Sequence, residues 1–280
     1  MVRRPLGNHH DGPHTLLVAS DTQQSTPVTA SAESLRKLTA PVRYVLWDLD
    51  GPICRLFAGH PAGVIARDLV AEIDALGLGG SLTERERAHR DPQAVLLRVS
   101  ERHPGSDLVG ELEEWLTRQE LAAVPGARPT PYADPLIRTW TALGAVSAVT
   151  TNNSARVAAA YLETRGLTGC FSSLYGRTGD LGLMKPHPHA LLRALTVMGA
   201  DPSQALMIGD SPSDLAAARA AGVPFLGYAR SEETAAALVD PDAAEPCVVT
   251  DLSDVRAALL ARSPFAPPSG SGCPAPEGTS

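Results

Sequence analysis

The chain has 280 residues, 44% hydrophobic but only 4% aromatic, enough aliphatic material for one sizeable core and a smaller module. A formal net charge of −7 excludes the basic footprint of a nucleic-acid binder or of a protein that docks on anionic membranes. Four scattered cysteines without a CxxC pair argue against a disulfide framework or zinc site, and no apolar run approaches the roughly 20 residues of a membrane span. After Arg3 and Arg4 the only apolar run is "TLLVA", shorter than the ~7–15 residues of a secretion signal, so the expected location is the cytoplasm.

In chain order, residues 1–39 mix His, Pro, Ser, Thr and Gln and read as a flexible extension, with a short helix at "SAESLRKL". "RYVLWD" is the first strand, a continuous apolar run of the kind found in parallel sheets covered on both faces. Residues 55–127 hold no strand. Ile65, Leu69, Ile73 and Leu76 recur at helical spacing, "RDPQAVLLRVS" opens with Asp91 as N-cap and Pro92 at the first helical position, and Leu108, Leu112, Trp115 and Leu116 form another stripe. Beyond the insert, helical and strand-like segments alternate: "ADPLIRTWTALG", "AVSAVTT", "ARVAAAYLETRG", a short strand, "PHALLRALTVMG", "ALMIGD", "SDLAAARAAG" and "PFLGYA". The helices run to a glycine stop. Residues 263–280, rich in Pro, Gly and Ser, read as a disordered tail. The expected fold is α/β: a doubly wound, Rossmann-like parallel sheet from residues 40–54 and 128–262, interrupted by a helical module at 55–127.

Ligands of open α/β sheets bind beyond the carboxyl ends of the strands, and the polar clusters of this chain fall there. Asp48 and Asp50 close the first strand, Thr151 and Asn152 the second, Asp210, Ser211 and Asp214 follow "ALMI", and Lys185 precedes a helix. Two adjacent carboxylates at a buried strand end are costly unless a cation or shared proton compensates. Each fragment also has a plainer role. Ser211, Pro212 and Asp214 make a good helix start, Thr151 and Asn152 could cap the next helix, Lys185 alone would be a solvated lysine, and Cys54 an apolar filler.

Taken in order, "DLDGPIC", "VTTNNS", "LMKPHPHALL" and "MIGDSPSD" resemble the four motifs of the haloacid dehalogenase-like phosphohydrolases, over roughly residues 42–260. The resemblance implies that Asp48 attacks phosphorus to form an aspartyl phosphate, while Asp50 protonates the leaving oxygen and then activates water. It implies that the Thr151 hydroxyl, the Asn152 N–H, the Lys185 ammonium and the amides of Leu49 and Asp50 hold the phosphoryl oxygens. Mg²⁺ is the implied cofactor, held by Asp48, Asp210 and Asp214 with the Asp50 carbonyl, a hard-oxygen set without His or Cys.

One departure is Pro52, where the family usually has Thr or Ser; it removes a hydroxyl and an N–H and pushes Gly51 away from the α region. Only 33 residues separate Thr151 from Lys185, so the 55–127 insert resembles the C1-type cap, which closes over a small substrate. The implied activity is hydrolysis of a small phosphorylated metabolite, similar to the phosphoglycolate phosphatase type. A β-phosphoglucomutase-like phosphomutase and a non-catalytic ligand-binding protein on the same core stay open as alternatives. His60, Arg67, Arg98 and Arg102 are cap residues that either reach the substrate or lie on solvated helix faces.

Overall fold

The computed structural model describes residues 29–240 and 247–261. In chain order the elements are α1 (Ala32–Thr39), β1 (Tyr44–Trp47), β2 (Cys54–Arg55), α2 (Ala62–Ala75), α3 (Glu84–Arg87), α4 (Pro92–Arg102), α5 (Asp107–Ala123), β3 (Arg128–Pro129), α6 (Ala133–Ala142), β4 (Val146–Ser154), α7 (Ala155–Thr164), β5 (Phe171–Arg177), α8 (His189–Met198), β6 (Ala205–Gly209), α9 (Pro212–Ala221), β7 (Phe225–Tyr228), α10 (Glu232–Ala237), β8 (Val248–Val249) and α11 (Leu252–Leu260). Six strands form one parallel sheet in the order β5-β4-β1-β6-β7-β8.

The period of two along each strand divides its side chains between two cores. Val45, Trp47, Val149, Leu206, Ile208 and Leu226 face one side, packed with residues of α1, α6, α7 and α11. Leu46, Ala148, Met207, Phe225 and Val248 face the other, against α8, α9 and α10. Both faces are covered, which is why these strands read as unbroken apolar runs. Helices α8 and α9 stop at Gly199 and Gly222, both left-handed.

The core begins earlier than residue 40. Ser31 caps α1 by accepting from Ser34 N–H at 3.0 Å, Leu35 is buried in the first core, and Ala30 N–H donates to the Val248 carbonyl at 2.7 Å. Residues 29–39 are therefore not a flexible extension. An eight-residue helix carries too little periodicity to announce its burial, and its partner α11 lies at the far end of the chain. Residues 1–28 and the expected tail at 263–280 lie outside the described residues.

Helices α2 to α5 form an insert between β2 and β3 with its own apolar core of Ile65, Leu69, Ile73, Leu96, Val99 and Leu112, among others. At its base β2 and β3 pair antiparallel, Cys54 opposite Pro129. The insert is not self-contained: Leu181 and Met184, from the loop before Lys185, join its core. On α5 the buried stripe is Val109, Leu112 and Leu116, then Thr117, Glu120 and Ala123, whereas the expected Leu108 and Trp115 are half-buried. The change to polar residues has a physical cause: the last two turns of α5 face the α/β body rather than the insert.

Leu35→Ala should therefore lower the free energy of unfolding by about 2–5 kcal/mol. Urea denaturation of the full chain checks this, and an effect below about 0.5 kcal/mol would place α1 outside the cooperative core.

Candidate active site

Strands β1, β4 and β6 lie in register, with Trp47 opposite both Val149 and Ile208. The chain beyond each strand therefore emerges at one level. Asp48 follows β1, its N–H still donating to the Ile208 carbonyl at 2.9 Å. Asp210 follows β6. Asp48, Asp50, Thr151, Lys185, Asp210 and Asp214 line one cavity of about 330 Å³, together with Asn152. A larger hollow of about 1100 Å³ on the outer face of the insert contains none of them. Leu49 sends its side chain into the first core, while its carbonyl accepts from Cys54 N–H at 3.0 Å.

Lys185 sits at the centre. Its buried ammonium lies 3.0 Å from Asp48 Oδ1, in contact with Asp214 Oδ1, and donates to the Thr150 carbonyl at 2.9 Å. Burial opposes its charge, but Asp214 and then Asp48 outweigh burial and hold its pKa above the ordinary value. Asp48 moves upward, because burial and repulsion from Asp214 exceed the pull of Lys185. Burial likewise pushes Asp50 up to about 6, against a hydrogen bond of 2.7 Å from Leu56 N–H to its Oδ1. Asp210 is pushed up to about 8 by burial and then by Asp48, Asp214 and Asp50.

Asp214 serves two neighbours with two oxygens. Its Oδ2 accepts from the Asp210 and Ser211 amides and the Ser211 hydroxyl, closing the capping box of α9. Its Oδ1 faces Lys185 and, like Asp48 Oδ1, receives no hydrogen bond of acceptable geometry although the ammonium is at ion-pair distance. One carboxylate oxygen each from Asp48, Asp210 and Asp214 lies within 4.8 Å of the others. Three converging carboxylates without a His or Cys fit a hard divalent cation such as Mg²⁺. The Asp50 side chain is not among the three.

Gly51 turns the chain between these groups at φ +112°, and a Cβ there would collide with the Asp210 carboxylate. The turn that Pro52 enters is closed by Gly51 N–H to the Cys54 carbonyl, 2.6 Å, and Thr130 Oγ1 donates to the Gly51 carbonyl.

The β4–β5 ladder runs from Thr150↔Tyr175 directly to Ser154↔Arg177, so three residues of β4 face one of β5. Thr151, Asn152 and Asn153 thus bulge out of the ladder toward the cavity. Gly176 makes room, since a Cβ there would run into Ala155 N and Asn153 O. The Asn152 side chain has a role that sequence reasoning missed: Oδ1 accepts from Lys185 N–H (2.8 Å) and Nδ2 donates to the Lys185 carbonyl (3.0 Å), clamping two motifs together. Also missed were Glu120 and Arg177, a buried ion pair behind the bulge.

From the insert, Phe57, Ala62, Arg90, Asp91 and Gln93 line the cavity, whereas His60, Arg67, Arg98 and Arg102 do not. Arg98 pairs with Glu101 and Arg102 with Glu86. Of α4 it is the start that lines the cleft, where Asp91 caps the helix by accepting from Gln93 N–H at 2.9 Å. That "RDP" helix start was the available signal for Arg90.

A parallel sheet with four polar loops meeting at its carboxyl edge, a buried lysine among carboxylates and a helical insert define a Rossmann-like α/β protein with an acidic cleft at its strand ends. Residues 42–222 match the family model described as haloacid dehalogenase-like hydrolase, and the chain belongs to that family. It is 30% identical over 209 residues to the phosphoglycolate phosphatase of Rhodospirillum rubrum, covering 69% of this chain and 83% of the relative. It is 29% identical over 221 residues to that of Salmonella choleraesuis, covering 72% and 87%. A haloacid dehalogenase-like family protein from Streptococcus pneumoniae superposes at a TM-score of 0.54 with 17% identity, covering 78% of this chain and 98% of that one, and shares the fold. The chain is a phosphatase of this family.

Gly51→Ala should strain the turn by about 1–3 kcal/mol and displace Asp210, lowering Tm by several degrees. Calorimetry and the Mg²⁺ concentration for half-maximal activity read the two effects. Unchanged values of both would show that the turn tolerates a side chain.

Proposed function

We propose that the protein hydrolyses small phosphate monoesters with Mg²⁺, through a phosphoryl group carried on Asp48. One observation carries this: Asp48 stands at the open end of the central strand, 3.0 Å from the buried Lys185 ammonium and within 4.8 Å of the Asp210 and Asp214 oxygens. Asp48 lines the cavity, where its carboxylate is the nucleophile for attack on phosphorus. Lys185 favours the ionised form of that carboxylate, partly offsetting burial, and offers positive charge to the phosphoryl oxygens. The Thr151 hydroxyl and the amides of Asn152, Leu49 and Asp50 hold the same oxygens.

Asp50 exchanges the protons. Burial pushes its carboxyl up to about 6, close to working pH, where a group donates and accepts most effectively. The Leu56 amide orients it from the linker into the insert. Asp48, Asp210 and Asp214 would hold Mg²⁺ with the Asp50 carbonyl. When bound, the ion offsets the repulsion between an anionic nucleophile and an anionic phosphate.

2-Phosphoglycolate is the first substrate to test. The relatives named phosphoglycolate phosphatase support it, and so does Arg90, a cation from the insert on the wall of the cavity, suited to a second anionic group. A panel of phosphorylated metabolites assayed with Mg²⁺ should place 2-phosphoglycolate among the best by kcat/KM. Arg90→Ala should raise its KM more than that of p-nitrophenyl phosphate.

Asp48→Asn should reduce turnover by at least about 10³-fold with the fold intact, and chelation should silence the wild type reversibly. Residual hydrolysis above about 1%, or full activity in excess chelator, would contradict the mechanism.

Asp50→Asn separates the two halves of the reaction. A good leaving group such as p-nitrophenolate needs little protonation, so its first step should survive better than that of an alkyl phosphate, with phosphoenzyme accumulating. Proton transfer is worth about 10²–10⁴-fold. Rapid-quench experiments decide it: equal losses for both leaving groups without trapped intermediate would reduce Asp50 to shaping the cleft.

A further inference from the structure

The bulge that carries Thr151 and Asn152 has left the β4–β5 ladder, so something else must hold its backbone. That support comes from a buried ion pair. Arg177 grips Glu120 with Nη1 to Oε1 at 2.9 Å and Nη2 to Oε2 at 3.2 Å. It also donates to Glu113 Oε1, to Thr117 Oγ1 and to the Asn152 carbonyl, each at 3.0 Å. Glu120, fully buried near the end of α5, accepts from Asn153 Nδ2 at 3.0 Å and from Ser154 N–H at 3.1 Å. The pair thus reaches Asn152, Asn153 and Ser154 in succession.

Its effect extends to the Thr151 hydroxyl. A carboxylate only accepts, so Glu120 fixes the Asn153 amide with its nitrogen inward and its oxygen toward Thr151. Thr151 Oγ1 donates to that oxygen at 3.2 Å and accepts from Asn153 N–H at 3.2 Å. The donated bond is long for a hydroxyl, so the Thr151 proton is oriented yet weakly held and free to turn to a stronger acceptor.

A buried ion pair is seldom the cheapest way to stabilise a fold; apolar residues of similar volume often serve as well. What it supplies is fixed geometry. Burial opposes the Arg177 charge, but Glu120 and Glu113 outweigh it and hold its pKa above the ordinary value. The same Glu120 Oε1 receives Gln93 Nε2 from the start of α4 at 3.4 Å, linking the insert's cavity wall to the loop.

We infer that Glu120 and Arg177 are positioning residues for the phosphoryl group, holding the Asn152 peptide and the Thr151 hydroxyl in the orientation that receives it. This rests on the phosphohydrolase function proposed above. The pair reaches the substrate only through the loop, so its loss should weaken phosphate binding and turnover while sparing the metal site.

Glu120→Gln keeps the size but turns an amide nitrogen toward groups that all donate, and Arg177→Lys keeps the charge without the fork. The measurements, on the full chain with p-nitrophenyl phosphate, are kcat, the inhibition constant of inorganic phosphate, the activating Mg²⁺ concentration and urea unfolding. Both variants should raise the phosphate inhibition constant and lower kcat by about tenfold or more, with Mg²⁺ activation within about twofold of wild type. If either fails to fold, Asn153→Ala removes the relay while keeping both charges of the ion pair and should give the same pattern. Folded variants with unchanged phosphate inhibition, losing only stability, would overturn the inference. A wild-type chain that neither hydrolyses the ester nor binds phosphate would overturn the phosphohydrolase function first, before any variant is compared.

Discussion

Asp48 and Asp214 bring two carboxylates of like sign into a cleft that excludes most water, and the Lys185 ammonium between them makes that arrangement tolerable. Much of the cleft follows from this contact. To bring a lysine from the loop before α8 beneath the nucleophile, that loop must be held down. It is held twice: by the Asn152 clamp on the Lys185 peptide, and by Leu181 and Met184 packed into the insert's core. The same lysine donates to the Thr150 carbonyl, so a single cation ties together β1, β4 and α9.

Around that centre the charges are unbalanced. Four carboxyl groups face one lysine, and burial and acidic neighbours push Asp50 and Asp210 upward, so without a further cation the cleft resists carrying its full negative charge. A divalent cation would complement the carboxylates, as a phosphate ester would complement Lys185. Strain serves the same end: Gly51 at φ +112° carries the chain close against Asp210, where no side chain would fit.

The insert takes part in this chemistry at two depths. At the surface of the cavity, the start of α4 presents Arg90 and Gln93. Deeper, the end of α5 sends Glu113, Thr117 and Glu120 to Arg177 behind the Thr151 loop. A helix whose first half packs the insert and whose second half packs the body joins the two, and its switch from apolar to polar buried residues records the crossing.

The sequence by itself determined the order of strands and helices, the motif residues at the strand ends and the place of the insert, because these are local signals: runs of Val, Leu and Ile, helix caps, glycine stops and short polar fragments. Ser211, Pro212 and Asp214 were legible as a helix start, whereas the contact of Asp214 with Lys185 was not. What tertiary structure alone decided depends on partners far apart in the chain. Leu35 is core because α11 lies far from it in sequence but beside it in space. Glu120 and Arg177 are 57 residues apart, and each alone reads as an ordinary solvated charge. Arg90 rather than Arg98 or Arg102 reaches the cavity because it is the start of α4 that lines it. Burial, which turns a charge into either a cost or a tool, is a property of the packed chain and not of any segment of it.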